Sequence, residues 1–270
     1  MTLDAPAWPC AFSTLGCAGM PLAAVVDLAS AEGWDGLELR AAPGEPVHVG
    51  LTRAERIEAR HMLEAAGVTP LAIASYVKVD DPAVPDAVVI DDALAHLQLA
   101  ADVGASFVRV FPGGPSSDDA AIRRLQKVAA RLDDLPDVGV ALETHDSCPT
   151  GAAAANLLAR VDHPRIRAVW DVQHPWCAGE EVADTLEALG PFLAYVQITD
   201  ARSIHDPTPC LLGTGVLPLR EARDELVRRG YAGWVSLEWA SYWYPDAPQL
   251  TAALPGARRW LTDPLWSAYG

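Results

Sequence analysis

Residues 140–147 read VALETHDS, an apolar run that closes with Glu143 and His145 two positions apart and then breaks into turn residues. Side chains at i and i+2 of a strand share a face, so a strand here aims both polar groups the same way. A buried strand that ends on a carboxylate and an imidazole matches one architecture well. In a (β/α)8 barrel, chemistry sits at the C-terminal ends of the strands.

Working outward, short apolar runs recur along the chain. The strand candidates are CAFSTLGC (10–17), DGLELR (35–40), LAIASYV (71–77), SFVRVFPGG (106–114), VGVALETHDS (138–147), IRAVWDV (166–172), LAYVQITD (193–200) and WVSLEW (234–239). Between them lie segments of helical period such as TRAERIEARHMLEAAG and REARDELVRRG, several opening on Asp, Thr or Glu and closing on Gly, as helix caps do. Eight strands, each followed by a helix and with no linker between, predict one α/β domain over residues 1–270, a single (β/α)8 TIM barrel. A doubly wound sheet with a second domain is the alternative, but no segment reads as a linker.

The 270 residues are half hydrophobic, ample for one large core, and the formal charge is −16. With Lys78 and Lys127 the only lysines, a phosphate-tracking surface is not expected, which argues against nucleic acid as a partner. Five cysteines without a CxxC fit reduced thiols. The first residues show no signal-peptide pattern and no apolar stretch is long enough to span a membrane, so a cytoplasmic protein is expected.

The pattern of residues 140–147 repeats on the next three strands. VWDVQHPW carries Asp171 and His174, YVQITDAR carries Gln197, Asp200 and Arg202, and WVSLEW carries Glu238. Any one of these acids alone reads as a helix cap or an arginine partner. Together, Glu143, Asp171 and Glu238 in one mouth would repel unless protonated or bridged by a cation. With Gln197 as a carbonyl donor they form an all-oxygen set suited to Mn²⁺ or Mg²⁺, a carboxylate and arginine network without metal being the alternative.

At these residues the sequence resembles the xylose isomerase-like barrel superfamily, in the group of sugar phosphate isomerases and epimerases. GWDGLELR, VRVFPGG, ALETHDS, VWDVQHPW, YVQITDAR, LLGTGVLPL and GYAGWVSLEW carry the resemblance along essentially the whole chain. It implies that Glu143, Asp171, Gln197 and Glu238 bind one divalent metal and that His174, of the D-x-x-H motif, contacts substrate. The strand-seven ligand of such enzymes is usually His. Gln197 departs from that and moves the resemblance toward its dehydratase members, and Thr199-Asp200 stands where a Lys-Asp pair is common.

A metal chelating a carbonyl and its neighbouring hydroxyl acidifies the C–H between them, and the resulting enediolate needs a base and an acid. Glu143 and Glu238 are the candidates for both roles. The expected activity is a metal-dependent isomerisation or epimerisation of a keto sugar or polyol; dehydration of an inosose- or dehydroshikimate-like substrate shares the first step and is the alternative. His145, His174, Arg202, Glu38 and Trp176 are the candidate substrate contacts, with Trp239 and Trp243 as further ring walls. GTG at 213–215 reads as a turn. An abasic-site endonuclease of the related barrel family would need more histidine ligands and a basic face, which this chain lacks. Barrels of this type often associate through outer helices, so a homodimer is the assembly to look for.

Overall fold

The structure, a computed structural model, describes residues 8–114, 119–135 and 137–262. Parts of the expected domain outside those ranges, including both ends, lie outside the described residues. In chain order the strands are β1 (Cys10–Ser13), β2 (Gly36–Arg40), β3 (Thr69–Lys78), β4 (Phe107–Phe111), β5 (Gly139–Glu143), β6 (Ile166–Asp171), β7 (Leu193–Ile198), β8 (Ala201–Ser203), β9 (Asp206–Pro209) and β10 (Val235–Leu237). All but β8 and β9 form a closed parallel barrel, with β1 paired to both β2 and β10. The expected TIM barrel is what forms.

Helices α1 (Leu22–Ala31), α2 (Arg53–Ala65), α3 (Asp86–Val103), α4 (Asp119–Ala129), α5 (Gly151–Val161), α7 (Val182–Leu189), α8 (Leu219–Arg228) and α9 (Leu250–Thr262) occupy the expected segments. Their ends follow local chemistry. Thr52 and Glu55 form a reciprocal capping box at the start of α2, Thr150 accepts from the Ala153 N–H at the start of α5, and Gly104 closes α3 at φ +87°. None of the helices is long and apolar enough to cross a membrane, among the described residues.

Strand periodicity sorts the side chains into two layers. Val140 and Leu142 of β5, Ala168 and Trp170 of β6, Val196 and Ile198 of β7, and Val235 and Leu237 of β10 join the large core that also takes in helix residues such as Leu63, Leu97 and Leu158. The alternate positions face the barrel interior, where Ala11, Leu71, Ala141, Val169 and Tyr195 form a separate apolar cluster. Two residues further along the same faces come Glu143 from Ala141, Asp171 from Val169, and Gln197 from Tyr195. The apolar plug is thus the floor on which the polar layer stands.

The structure adds three features to the sequence reading. The first expected strand ends at Ser13, whose hydroxyl accepts from the Leu15 N–H and turns 14–17 into a 3-10 turn. After β6, a short helix α6 (Gln173–Cys177) starts where the Asp171 carboxylate accepts from the Gln173 N–H at 2.9 Å. After β7 comes the β8–β9 hairpin. The Asp200 carboxylate anchors the loop beyond it by accepting from the N–H groups of Gly213, Gly215 and Leu217 at 2.9–3.2 Å. The GTG segment is a turn whose glycine amides are taken by Asp200.

Barrel closure forbids a side chain at Gly36. A Cβ there would stand 2.6 Å from the Thr69 carbonyl oxygen and 2.8 Å from the Trp234 ring. Gly36→Ala should lower stability by about 1–3 kcal/mol, measured by chemical denaturation; an unchanged midpoint would show that β2 and β3 move apart without cost.

Candidate active site

The turn after β5 explains the opening motif. Thr144 faces away from the barrel interior, and its hydroxyl accepts from the Asp171 N–H at 3.0 Å, fixing the end of β5 to the end of β6. His145 and Cys148 then exchange backbone hydrogen bonds, and Asp146 takes φ +45° to close the turn. That geometry sets the Asp146 carboxylate 2.8 Å from His145 Nδ1 and holds the ring over the barrel mouth.

His145 stands against the ring of His174, with centroids 4.2 Å apart, and against Phe111 at 4.7 Å. His174 Nε2 lies 3.4 Å from Asp171 Oδ2. Glu143, His145 and His174 each bring a ligand atom to within 4.8 Å of the others, the one such group of His, Cys, Asp and Glu among the described residues. A cavity of about 170 Å³ is lined by these three together with Asp171, Glu238 and Arg109. With Trp243, which also lines it, six of the residues singled out from sequence therefore share one space.

Others do not reach it. Gln197 is fully buried beneath the cavity, and its amide nitrogen donates to Glu38 Oε2 at 2.9 Å. Glu38 therefore faces the interior, as expected, but is spent on Gln197. Trp176 packs half-buried against the outer core, and Trp239 is buried with its indole N–H donated to the Pro248 carbonyl. Arg202 sits exposed on β8, 3.8 Å from Asp206. Of the three tryptophans only Trp243 lines the cavity.

One group lining the cavity was missed. Arg109 of β4, fully enclosed, places its Nε 3.1 Å from Glu143 Oε2 and its guanidinium 3.9 Å from the centre of the Phe111 ring. Its Nη1 has no protein hydrogen-bond partner although buried, and neither has Gln197 Oε1. The signal was in SFVRVF, where a cation interrupts an apolar strand on the inward-facing phase.

Electrostatics follow from enclosure. Burial pushes Asp171 up to about 7 and Glu238 up to about 8, the second also raised by Asp171. Glu143 is held well above its ordinary range by burial, with Arg109 working in the opposite direction. Burial lowers both His145 and His174 to about 4, His174 adding to the effect on His145. Both imidazoles are therefore neutral near pH 7, the state in which nitrogen binds metal.

These donors fit a divalent ion. Neutral His145 and His174 with Glu143 give two nitrogens and a carboxylate; Asp171 and Glu238 border the same cavity, and the unpartnered Gln197 oxygen lies beneath it. Nitrogen donors widen the accessible ions from the expected Mn²⁺ and Mg²⁺ to include Zn²⁺.

Raised carboxyl groups bind protons more tightly in the folded chain than in the unfolded one. With Asp171 moving from 3.8 to about 7 and Glu238 from 4.5 to about 8, the native state holds extra protons between those limits. Stability of the metal-free protein should then fall as pH rises through that window, by on the order of a few kcal/mol. Unfolding midpoints at about pH 5 and about pH 8 test this; equal midpoints would show that the acids are not held protonated.

Known proteins share parts of this sequence and its fold. Over 95 residues the chain is 33% identical to fructoselysine 3-epimerase of Escherichia coli O157:H7, a match covering 35% of this chain and 34% of that protein. Over 154 residues it is 26% identical to 3-dehydroshikimate dehydratase of Bacillus anthracis, covering 49% and 55%. The chain thus spans about a third of the first relative's length and about half of the second's. Among solved structures, L-ribulose 3-epimerase superposes with a TM-score of 0.78 at 17% identity, over 97% of this chain and 95% of that one. The IOLI protein with a bound zinc atom gives 0.76 at 17% identity, over 97% and 99%. These superpositions establish the shared fold. A family model described as xylose isomerase-like TIM barrel matches residues 26–263, and the chain belongs to that family.

Proposed function

We propose that the protein is a divalent-metal-dependent isomerase or epimerase of a small keto sugar or polyol, with Glu143 and Glu238 as its proton-transferring pair. The observation that carries this reading is the convergence of two glutamates, from β5 and from just after β10, on a cavity that also holds a histidine pair and a buried arginine. The ion would be held by Glu143 with His145 and His174, or by Glu143 with Asp171, Gln197 and Glu238; both sets share Glu143. When bound, it supplies the positive charge that polarises a substrate carbonyl and acidifies the neighbouring C–H.

The chain's own groups do the rest. Glu238 lines the same cavity as Glu143, so the two carboxyl groups can take a proton from one substrate and return it. Arg109 forms an ion pair with the Glu143 carboxylate, and its unpartnered Nη1 is placed to donate to a substrate oxygen. Asp171 orients His174 toward substrate hydroxyls. Pro207 and Pro209 of the hairpin, with Trp243, line the cavity with apolar surface that restricts water. Arg202 and Trp176 lie outside the cavity and have no part in this scheme.

A second reading, dehydration, shares the first proton removal and differs in losing a β-hydroxyl as water. Gln197 at the strand-seven position and the relation to 3-dehydroshikimate dehydratase support it.

Ketopentoses and ketohexoses incubated with the Mn²⁺-supplemented protein in D₂O should take up deuterium at the carbon beside the carbonyl, followed by NMR. Glu238→Gln should slow uptake by roughly 10²–10⁴-fold. An inosose and 3-dehydroshikimate complete the panel: growth of conjugated-product absorbance with either would favour dehydration, and neither signal across the whole panel would contradict both readings.

A further inference from the structure

Beside the catalytic cavity lies a second, larger one of about 610 Å³, and the two share Tyr76 and Trp243 as a common wall. The second cavity is built by the end of β2 and the loop after it, from Arg40 to Val49, with α3 on the far side. Its chemistry is opposite to that of the first.

In the catalytic cavity, buried polar atoms such as Arg109 Nη1 lack protein partners. In the annex the polar side chains are already paired. Arg40 is bound to Glu45, donates through Nε to the Tyr76 hydroxyl at 2.8 Å, and stacks 4.4 Å from the Tyr242 ring centre. His96 Nδ1 lies 3.1 Å from Asp92 Oδ1, and His48 Nδ1 accepts from the Gly50 N–H. With those groups occupied, what the annex offers a ligand is carbon: Ala42, Pro43, Val49 and the faces of Tyr76 and Trp243. Val49, Tyr76 and Trp243 are 37%, 38% and 56% exposed, unusual for large apolar side chains gathered at one mouth.

Size points the same way. The catalytic cavity alone is smaller than the roughly 300–1,000 Å³ of ordinary ligand pockets, and the two together fall within that range. We infer that the annex is a substrate subsite, and that the substrate carries an apolar moiety, aromatic or alkyl, on the end remote from its hydroxycarbonyl head. The head sits among Arg109, Glu143 and Glu238; the tail passes between Tyr76 and Trp243 and lies against Val49. This rests on the isomerase or epimerase reading for the head and adds the class of the tail.

The test uses the full chain with Mn²⁺ and two probes, D-fructose and its 6-O-benzyl ether, with affinity read by titration calorimetry and solvent exchange by NMR. The benzyl ether should bind roughly tenfold tighter than fructose, as expected for burying most of a ring. Val49→Asp, which puts a charge in the annex alone, should remove that gain and leave the affinity for fructose unchanged. Trp243→Leu should reduce it as well.

A benzyl ether that binds no tighter than fructose, or a gain that survives Val49→Asp, overturns the annex. If fructose exchanges deuterium while the benzyl group adds nothing, the annex fails and the proposed activity stands. If the Val49-dependent gain is present without exchange of either sugar, the annex stands and the assignment of the head chemistry fails. Binding of neither probe overturns both.

Discussion

The acids of this barrel are held where strand geometry puts them. Ala141, Val169 and Tyr195 fill the interior, so the residues two positions on must stand above that apolar plug, and there they are Glu143, Asp171 and Gln197. Glu38 and Glu238 complete the ring, and Arg109 is the cation that reaches Glu143 from within it. Desolvation raises the carboxyl groups, and one guanidinium does not balance four acids. Local contacts fix the rest of the mouth. His145 and His174 are held neutral by burial, Thr144 locks β5 to β6, and Asp146 takes a left-handed turn to set His145 in place.

The barrel was legible because its strands alternate cleanly between core and interior, and VALETHDS shows both phases in eight residues. The acids were legible because inward-phase donors recur at four successive strand ends, where any one acid alone reads as a helix cap or an arginine partner. Arg109 was missed because SFVRVF reads as an ordinary buried strand, and nothing local says that its arginine meets a glutamate 34 positions away. The contact between the Gln197 amide nitrogen and Glu38, 159 positions away, spans the closed sheet and leaves no local trace in the sequence. The short helix after Asp171 and the hairpin after β7 escaped because elements of three to five residues carry no periodicity.

Trp176 and Trp239 illustrate a different limit. Both lie near strand ends in sequence, but Trp176 turns outward with α6, and Trp239 falls on the core-facing phase just after β10. Only Trp243, past the end of the strand and free of that alternation, reaches the mouth, where it stands between the polar cavity and its apolar neighbour. A carboxylate and arginine network is physically present as the pair of Arg109 and Glu143. It is embedded in a donor set that still leaves the Gln197 oxygen without a protein partner.

The claim on which the account turns is that this acid cluster is completed by a cation. The most direct test is the metal content of the purified protein after loading with Mn²⁺ or Zn²⁺ and dialysis into metal-free buffer, beside Glu143→Gln, since Glu143 belongs to both donor sets. The account predicts about one ion retained per chain by the wild type and loss of that ion in the variant. Retention of no ion by the wild type would mean that Arg109 and protonation alone hold the carboxylates together, and equal retention by both would mean that the ion sits away from Glu143.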